Sequence, residues 1–257
     1  MQAYSFTDFS DKILHHSIDE LTHSSLLHIA SSGKLSSFYT PFDSINLTAK
    51  IVFVGICPGQ VQWKNALTAA QHALKEGFSA DEALIQAKNT GAFSGPIRKN
   101  LVHILDHIGL QDKLNIASTS ELFNEHQSMV HMTSLLGQCV FVNGKNYAGT
   151  NPNMLKNDFL KQHIEQYFVP EIQLLPDAIY IPFDNAVVDV LYSLSGLGYL
   201  KEQQILDGFP HPSGANAERI KYFLGQKPSS ELSAVTNAQL IDQAKTRLFD
   251  KLHLLNF

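Results

Sequence analysis

The chain has only two cysteines, Cys57 and Cys139, among 257 residues. Two thiols cannot supply a four-thiolate zinc or iron–sulfur site. Each lies in or at the end of an apolar β-like run, where a reduced, buried thiol is the plainest role. No apolar run approaches the ~18 residues that a membrane helix needs, so no membrane partner is expected. The opening MQAYSFTDFSDK has neither a basic leader nor an apolar stretch, which predicts no signal peptide and a cytoplasmic location. Positive charge is also short: 19 Lys and Arg against 24 Asp and Glu leave a net charge of −5. That balance argues against a nonspecific nucleic-acid coat but allows a local basic face. The 12 histidines are scattered without metal-ligand spacing, so neither a metal nor a cofactor is expected. No linker, repeat or low-complexity tract is visible, and the expectation is one domain over residues 1–257, acting as a monomer.

What is present fits an ordinary globular protein: 44% of residues are hydrophobic and 17% charged, enough for a sizeable core. Strand-like and helical segments alternate. Ser17-Ile-Asp-Glu20 has the capping-box pattern and predicts a helix running to about Ser32. KIVFVGI, residues 50–56, reads as a buried strand. Residues 62–89 read as two helices, the second opened by the capping box Ser79–Glu82. NTGAFSGP breaks the pattern before a helix that starts at Pro96, whose stripe Ile97, Leu101, Ile104, Leu105 and Ile108 is core. QCVFV (138–142) and AIYIP (178–182) are further strands, with a weaker one near 203–207. Helices are expected over 154–175, with a break at Pro170, then after Asp184, over 215–224 and over about 236–254. This alternation predicts an α/β fold with a short, mainly parallel sheet covered on both faces. The core would span about 48–226, with helical additions at both ends.

In such sheets ligands bind beyond the carboxyl ends of the strands. Three loops leave those ends with unusual turn-forming or polar content: GICPGQ, NGKNYAG and FPHPSGAN. They point to one cleft.

Taken together these loops resemble the uracil-DNA glycosylase superfamily, nearest to its single-strand-selective monofunctional and mismatch-specific branches. The first motif of that family, Gly-x-Asn-Pro-Gly after the first strand, is similar to Gly55-Ile56-Cys57-Pro58-Gly59. A Thr-Gly-x-Pro-Phe segment resembles Thr90-Gly91-Ala92-Phe93, and a Phe-Val-x-Asn strand end resembles Phe141-Val142-Asn143. The closing His-Pro-Ser motif matches His211-Pro212-Ser213, followed by Asn216. The likeness runs in order from about residue 50 to 225, and His-Pro-Ser is its most specific piece.

The resemblance implies a three-layer α/β/α fold and a DNA-repair enzyme that hydrolyses the N-glycosidic bond of uracil or a related damaged base. Such an enzyme extrudes the target nucleotide into a closed pocket. Phe93 would stack on the base, and Asn143 would read its edge. Gly55, Ile56, Pro58 and Gly59 would line the pocket. His211 would donate a hydrogen bond to O2 as negative charge gathers on the leaving base. Ser213, Asn216, Arg219 and Arg98 would track DNA phosphates. Cys57 departs from the pattern, because the family places asparagine or aspartate there to position the attacking water, and a thiol does this poorly. Gln60 or Gln62 could hold the water instead. A second departure is the 34 positions between Gly59 and Phe93, a longer stretch than in those relatives.

Each residue also has a plainer reading. Cys57 as a nucleophile needs a lowered pKa and a paired base; otherwise it only lines the pocket. His211 could be a turn histidine, Phe93 ordinary core, and Asn143 a turn residue with Asn146 as rival. Two alternatives to the glycosylase follow: a catalytically silent DNA- or nucleotide-binding member of the superfamily, and a cysteine-dependent hydrolase of a small molecule using Cys57 and His211.

Overall fold

The computed structural model describes residues 4–91 and 96–255. The chain opens with helices α1 (Phe6–His15) and α2 (Ile18–His23) and strands β1 (His28–Ser32), β2 (Leu35–Phe38) and β3 (Ile51–Gly55). Four helices follow: α3 (Gln60–Lys75), α4 (Ala80–Gly91), α5 (Pro96–His107) and α6 (Leu110–Leu114). Then come β4 (Val130–Ser134), β5 (Cys139–Val142), β6 (Lys145–Asn146), α7 (Asp158–His163) and α8 (Val169–Leu174). The chain closes with β7 (Ile179–Pro182), α9 (Asn185–Gly196), α10 (Ala217–Phe223) and α11 (Ala238–Leu254). The class is α/β, with one small parallel and one antiparallel sheet. The chain forms two compact units. The first holds Met1–Ile45, Val54–Phe93 and Met132–Leu175; the second holds Asn46–Phe53, Ser94–His131 and Pro176–Phe257.

In the first unit the antiparallel sheet has the order β1-β2-β5-β6. Two tight turns set its register. Ser32 pairs with Leu35 and Val142 with Lys145, so each hairpin closes through two residues. Gly33 takes φ 57° in the first turn, and Asn143 and Gly144 take 50° and 73° in the second. Asn-Gly is the pair that tolerates this left-handed geometry best. The core beneath gathers Phe6, Phe9 and Ile13 of α1, Tyr39, Trp63 and Phe141. Trp63 is almost fully buried, and its indole N–H donates to the Tyr39 carbonyl at 2.8 Å, which satisfies its one polar atom. Helices α3 and α4 pack on each other, and Ala66, Ala70, Ala73, Ala83 and Ala87 are all buried, small enough for close approach. The capping box at Ser79 is as expected, with Glu82 N–H donating to Ser79 Oγ and Ser79 N–H to the Glu82 carboxylate.

Two expectations fail in this unit. The helix expected from Ser17 to about Ser32 stops at His23. There Ser24 turns extended and its Oγ accepts the Leu26 N–H at 3.2 Å, a local bond that competes with helix. QCVFV, expected in the parallel sheet, is β5 of the antiparallel one, so NGKNYAG is a hairpin turn and not a loop at a parallel strand's end. The break expected at Pro170 is a π-helical turn over Ile164–Phe168, just before the residue that lacks an N–H.

The parallel sheet has the strand order β4-β3-β7. Lys50 N–H donates to the Met129 carbonyl and Ile179 N–H to the Lys50 carbonyl, both at 2.9 Å. A single parallel bridge, Tyr180 to Ile205, extends the sheet beyond β7. It is all that forms of the strand expected near 203–207. Phe53 of β3 meets the rings of Phe123 and Phe183 at 5.9 and 5.5 Å. Leu101, Ile104 and Leu105 of α5 and Ile108 just after it are buried as expected, Ile97 at the helix start is only half-buried, and Gly109, at φ 80°, closes the segment. Asp184 caps α9, its carboxylate accepting the Ala186 N–H at 2.8 Å. Among the described residues no helix is long and apolar enough to cross a membrane, and no group of three or more His, Cys, Asp or Glu could hold a metal ion.

Candidate functional site

In the first unit, the turn after β3 leads directly into α3. Pro58 follows Cys57, and Gly59 is the N-cap. The helix start satisfies its own donors: Gly59 N–H reaches Gln62 Oε1 at 2.9 Å, and Gln60 N–H reaches Asn146 Oδ1 at 3.1 Å. A Cβ on Gly59 would come within 3.4 Å of the Asn146 amide, so the glycine lets that side chain close over the helix end. Asn143, by contrast, is an exposed turn residue whose left-handed backbone explains the choice of asparagine. The structure gives the edge-reading expectation for Asn143 no support, and the rival Asn146 is a helix cap.

A pocket opens at this turn, lined by Phe42, Gly55, Cys57, Pro58, Gln62 and the last three residues of β4, Met132, Thr133 and Ser134. It encloses about 280 Å³ of empty space, part of it open to solvent. The segment bearing Phe42 is pinned from α4: Lys88 Nζ donates to the carbonyls of Phe42 and Ser44 at 3.0 and 2.6 Å. Burial pulls the Lys88 ammonium down to about 8 and pushes the neighbouring Asp43 carboxyl, which accepts from Tyr39 Oη, up to about 6.

Cys57 Sγ lies 3.7 Å from the Tyr147 carbonyl and donates to it. Burial pushes the thiol up to about 12, so it is neutral at physiological pH. Its proton is committed to a backbone oxygen, and sulfur is a weak acceptor. The arrangement therefore offers neither a thiolate nucleophile nor a firm anchor for water. Phe93 lies outside the described residues.

In the second unit the His-Pro-Ser loop is tightly specified. Asn100 Nδ2 of α5 donates to the Pro212 carbonyl at 2.8 Å. Ser213 N–H donates to His211 Nδ1 at 3.0 Å. A nitrogen that accepts from a backbone N–H carries no proton, so in the neutral ring the proton sits on Nε2. Burial lowers the His211 pKa, and the nearby Asp184 carboxylate opposes only part of that shift. His211 is thus half-buried, neutral and tautomerically fixed, with Nε2–H as its donor.

Beyond it runs one chain of bonds: Asn216 Nδ2 to Ser213 Oγ at 3.2 Å, and Arg219 to Asn216 Oδ1 at 3.1 Å. Arg98 stands apart from these three. Its guanidinium lies 4.7 Å over the Phe123 ring, and among the described residues its buried Nε has no acceptor. The structure therefore links Ser213, Asn216 and Arg219, and holds the Arg98 guanidinium over the Phe123 ring in the same unit.

The chain is 33% identical over 243 residues to YoxB of Bacillus subtilis (strain 168), across 92% of this chain and 94% of that one. It belongs to the YoxB family. YoxB is described as an uncharacterized protein, so the relationship carries no activity with it. No family model and no solved structure matches the chain.

Sequence reading missed the pocket wall from β4. VHMTS mixes histidine and hydroxyls into a strand, so it lacks the apolar run that marked β3. Its period-2 alternation, Val130 and Met132 against His131 and Thr133, was the available signal.

Proposed function

We propose that the chain is a member of the uracil-DNA glycosylase superfamily, a three-layer α/β/α protein that takes a flipped uracil or related damaged base from DNA and hydrolyses its N-glycosidic bond. The observation that carries this reading is the fixed Nε2–H tautomer of His211 in a His-Pro-Ser loop. Water attacks the anomeric carbon of the sugar as the bond to the base nitrogen breaks. The bonding electron pair passes into the pyrimidine ring, and the negative charge collects on O2. A neutral imidazole donating Nε2–H stabilises that charge without first having to lose a proton, and such a preorganised donor contributes ~10²–10³ in rate. Arg98, Arg219 and Ser213 supply phosphate contacts. The strand order β4-β3-β7 supports the fold assignment: the chain reverses direction across the sheet at β3, a doubly wound pattern in which ligands bind beyond the carboxyl ends.

One observation favours a second reading, in which the base is bound but not excised. Cys57 spends its proton on Tyr147 and offers water no strong acceptor. Single-turnover release of uracil from a single-stranded oligonucleotide separates the two. Slow release that rises ~10²-fold in Cys57→Asn supports the enzyme with a weakened water site. Retention of the strand with no release, in both forms, supports the silent binder. Neither retention nor release ends both readings.

A further inference from the structure

The loop that carries His211 is held at both ends within the second unit. At its exit Asn100 Nδ2 donates to the Pro212 carbonyl and the Ser213 N–H to His211 Nδ1. Its entry is the segment 205–208. That segment leaves the sheet where Ile205 bridges Tyr180 and the Leu206 N–H donates to the Tyr180 carbonyl at 2.9 Å. Only Phe209 and Pro210 separate it from His211.

One face of α11 clasps this entry. Ala244, Leu248 and Lys251 follow one another at four and three residues, so they form one row along the helix. Gly208 takes φ 116°, and a Cβ there would meet the Ala244 carbonyl oxygen at 2.6 Å and Leu248 Cβ at 3.2 Å. The backbone thus passes too close to α11 for any residue but glycine, in a conformation that other residues rarely adopt. Further along the row, Lys251 Nζ donates to the Ile205 carbonyl at 2.8 Å, to Tyr192 Oη at 2.7 Å and to the Asp207 carboxylate. Those three acceptors use all three donors of the ammonium. Tyr192 Oη closes the group by donating to Asp207 Oδ1 at 3.3 Å. The Lys251 and Asp207 side chains are only 22% and 20% exposed. Burial works against the Lys251 charge, but Asp207 and Tyr192 outweigh it and hold the ammonium above its ordinary value. Lys251 therefore stays charged where His211 titrates.

We propose that Lys251 and Asp207 are positioning residues for His211, through which α11 fixes the entry of the loop and so the bond that keeps the His211 proton on Nε2. Removing one partner leaves the other charge half-buried and uncompensated, which drives segment 205–208 toward water. The His211 ring then loses its bond from Ser213 and part of its burial. The consequence for rate rests on the excision reading, whereas the consequence for the ring does not.

The test follows the His211 ring nitrogens of the full chain by NMR, with their signals assigned by their loss in His211→Ala. The native ring should show the Nε2–H tautomer and a pKa below 6.5. In Lys251→Met, and in the milder Asp207→Ala, the pKa should rise toward 6.5 and the two tautomers should mix. Asp207→Asn keeps an acceptor for Lys251 and Tyr192 and should keep the native signature. Lys245→Met is the control. Lys245 fastens the same helix elsewhere, donating to the Phe223 carbonyl at 2.6 Å and to His107 Nε2 at 2.8 Å. Its loss should lower the unfolding midpoint and leave His211 unchanged. A native tautomer and pKa in either folded Lys251→Met or Asp207→Ala overturn the proposal, as does an equal change in Lys245→Met. Single-turnover release of uracil should slow ~10²-fold in Lys251→Met. If the native chain releases no uracil, the excision reading falls, and the ring signals still decide this one.

Discussion

The turn after β3 and the loop before α10 each bury a titratable side chain, and the same force gives them opposite chemical value. Desolvation disfavours charge in both places. At Cys57 it suppresses the thiolate, the only form in which cysteine is a strong nucleophile. At His211 it suppresses the imidazolium, which leaves a neutral ring whose Nε2–H is free to donate. The backbone completes the contrast: a carbonyl takes the proton of Cys57, whereas an amide N–H takes the lone pair of His211 and keeps its proton available. One residue is silenced and the other is poised.

The largest effect that could break this contrast is in alkylation. With its thiol pushed up to about 12, the thiolate fraction of Cys57 at pH 7 is more than ~10³-fold below that of a free cysteine. Iodoacetamide should label native Cys57 slower by at least that factor, as read by peptide mass spectrometry. Rapid labelling would restore the cysteine-hydrolase reading.

Next in size is His211→Ala. It should lower single-turnover excision ~10²–10³-fold while the unfolding midpoint stays nearly unchanged. Because burial lowers the pKa of His211, excision by the native chain should persist below pH 6.5 and fall only as pH drops through that lowered value. The variant should lack this limb.

The third test sets the two units against each other in stability. The Asp43 carboxyl is raised from 3.8 to about 6, so its contribution is fully present below pH 3.8 and is lost as pH rises through about 6. His211 has the opposite sign: its lowered pKa contributes stability above 6.5 that is lost as pH falls through the folded value. Asp43→Asn should therefore flatten the decline in urea midpoint between pH 4 and 7, an effect of about 2–3 kcal/mol at most. An unchanged slope would show that Asp43 ionises freely.

The smallest effect separates the two asparagines. Asn143→Ala should cost about 1 kcal/mol through its left-handed backbone and leave retention of a uracil-containing single strand intact, which a denaturation curve and a binding titration would show together.

Much of the fold was legible because local signals and tertiary demands agreed. The run IVFVG, the two capping boxes at Ser17 and Ser79 and the stripe of α5 all formed as their patterns require. The antiparallel sheet was not legible in the same way. Gly33-Lys34 and Asn143-Gly144 are two-residue hairpin turns, but the first follows a stretch, to about Ser32, whose capping box already announced a helix, and the second was absorbed into a motif. β4 escaped because its partner β3 is distant in sequence, and pairing with it tolerates the polar side chains that a lone reading of VHMTS counts against a strand. Among the candidate residues, His211 and the 55–59 turn stand out by residue type alone. Gln62 does not, because its bond to the Gly59 N–H exists only once the turn is folded.

The most direct test of the account compares two otherwise identical single-stranded oligonucleotides, one with a central uracil and one with cytosine, for retention by the full chain and for alkali-labile cleavage. The account predicts that the uracil strand is held at least ~tenfold tighter, or cut, while the cytosine strand is neither. Equal retention of the two strands, with no cleavage of either, would contradict it.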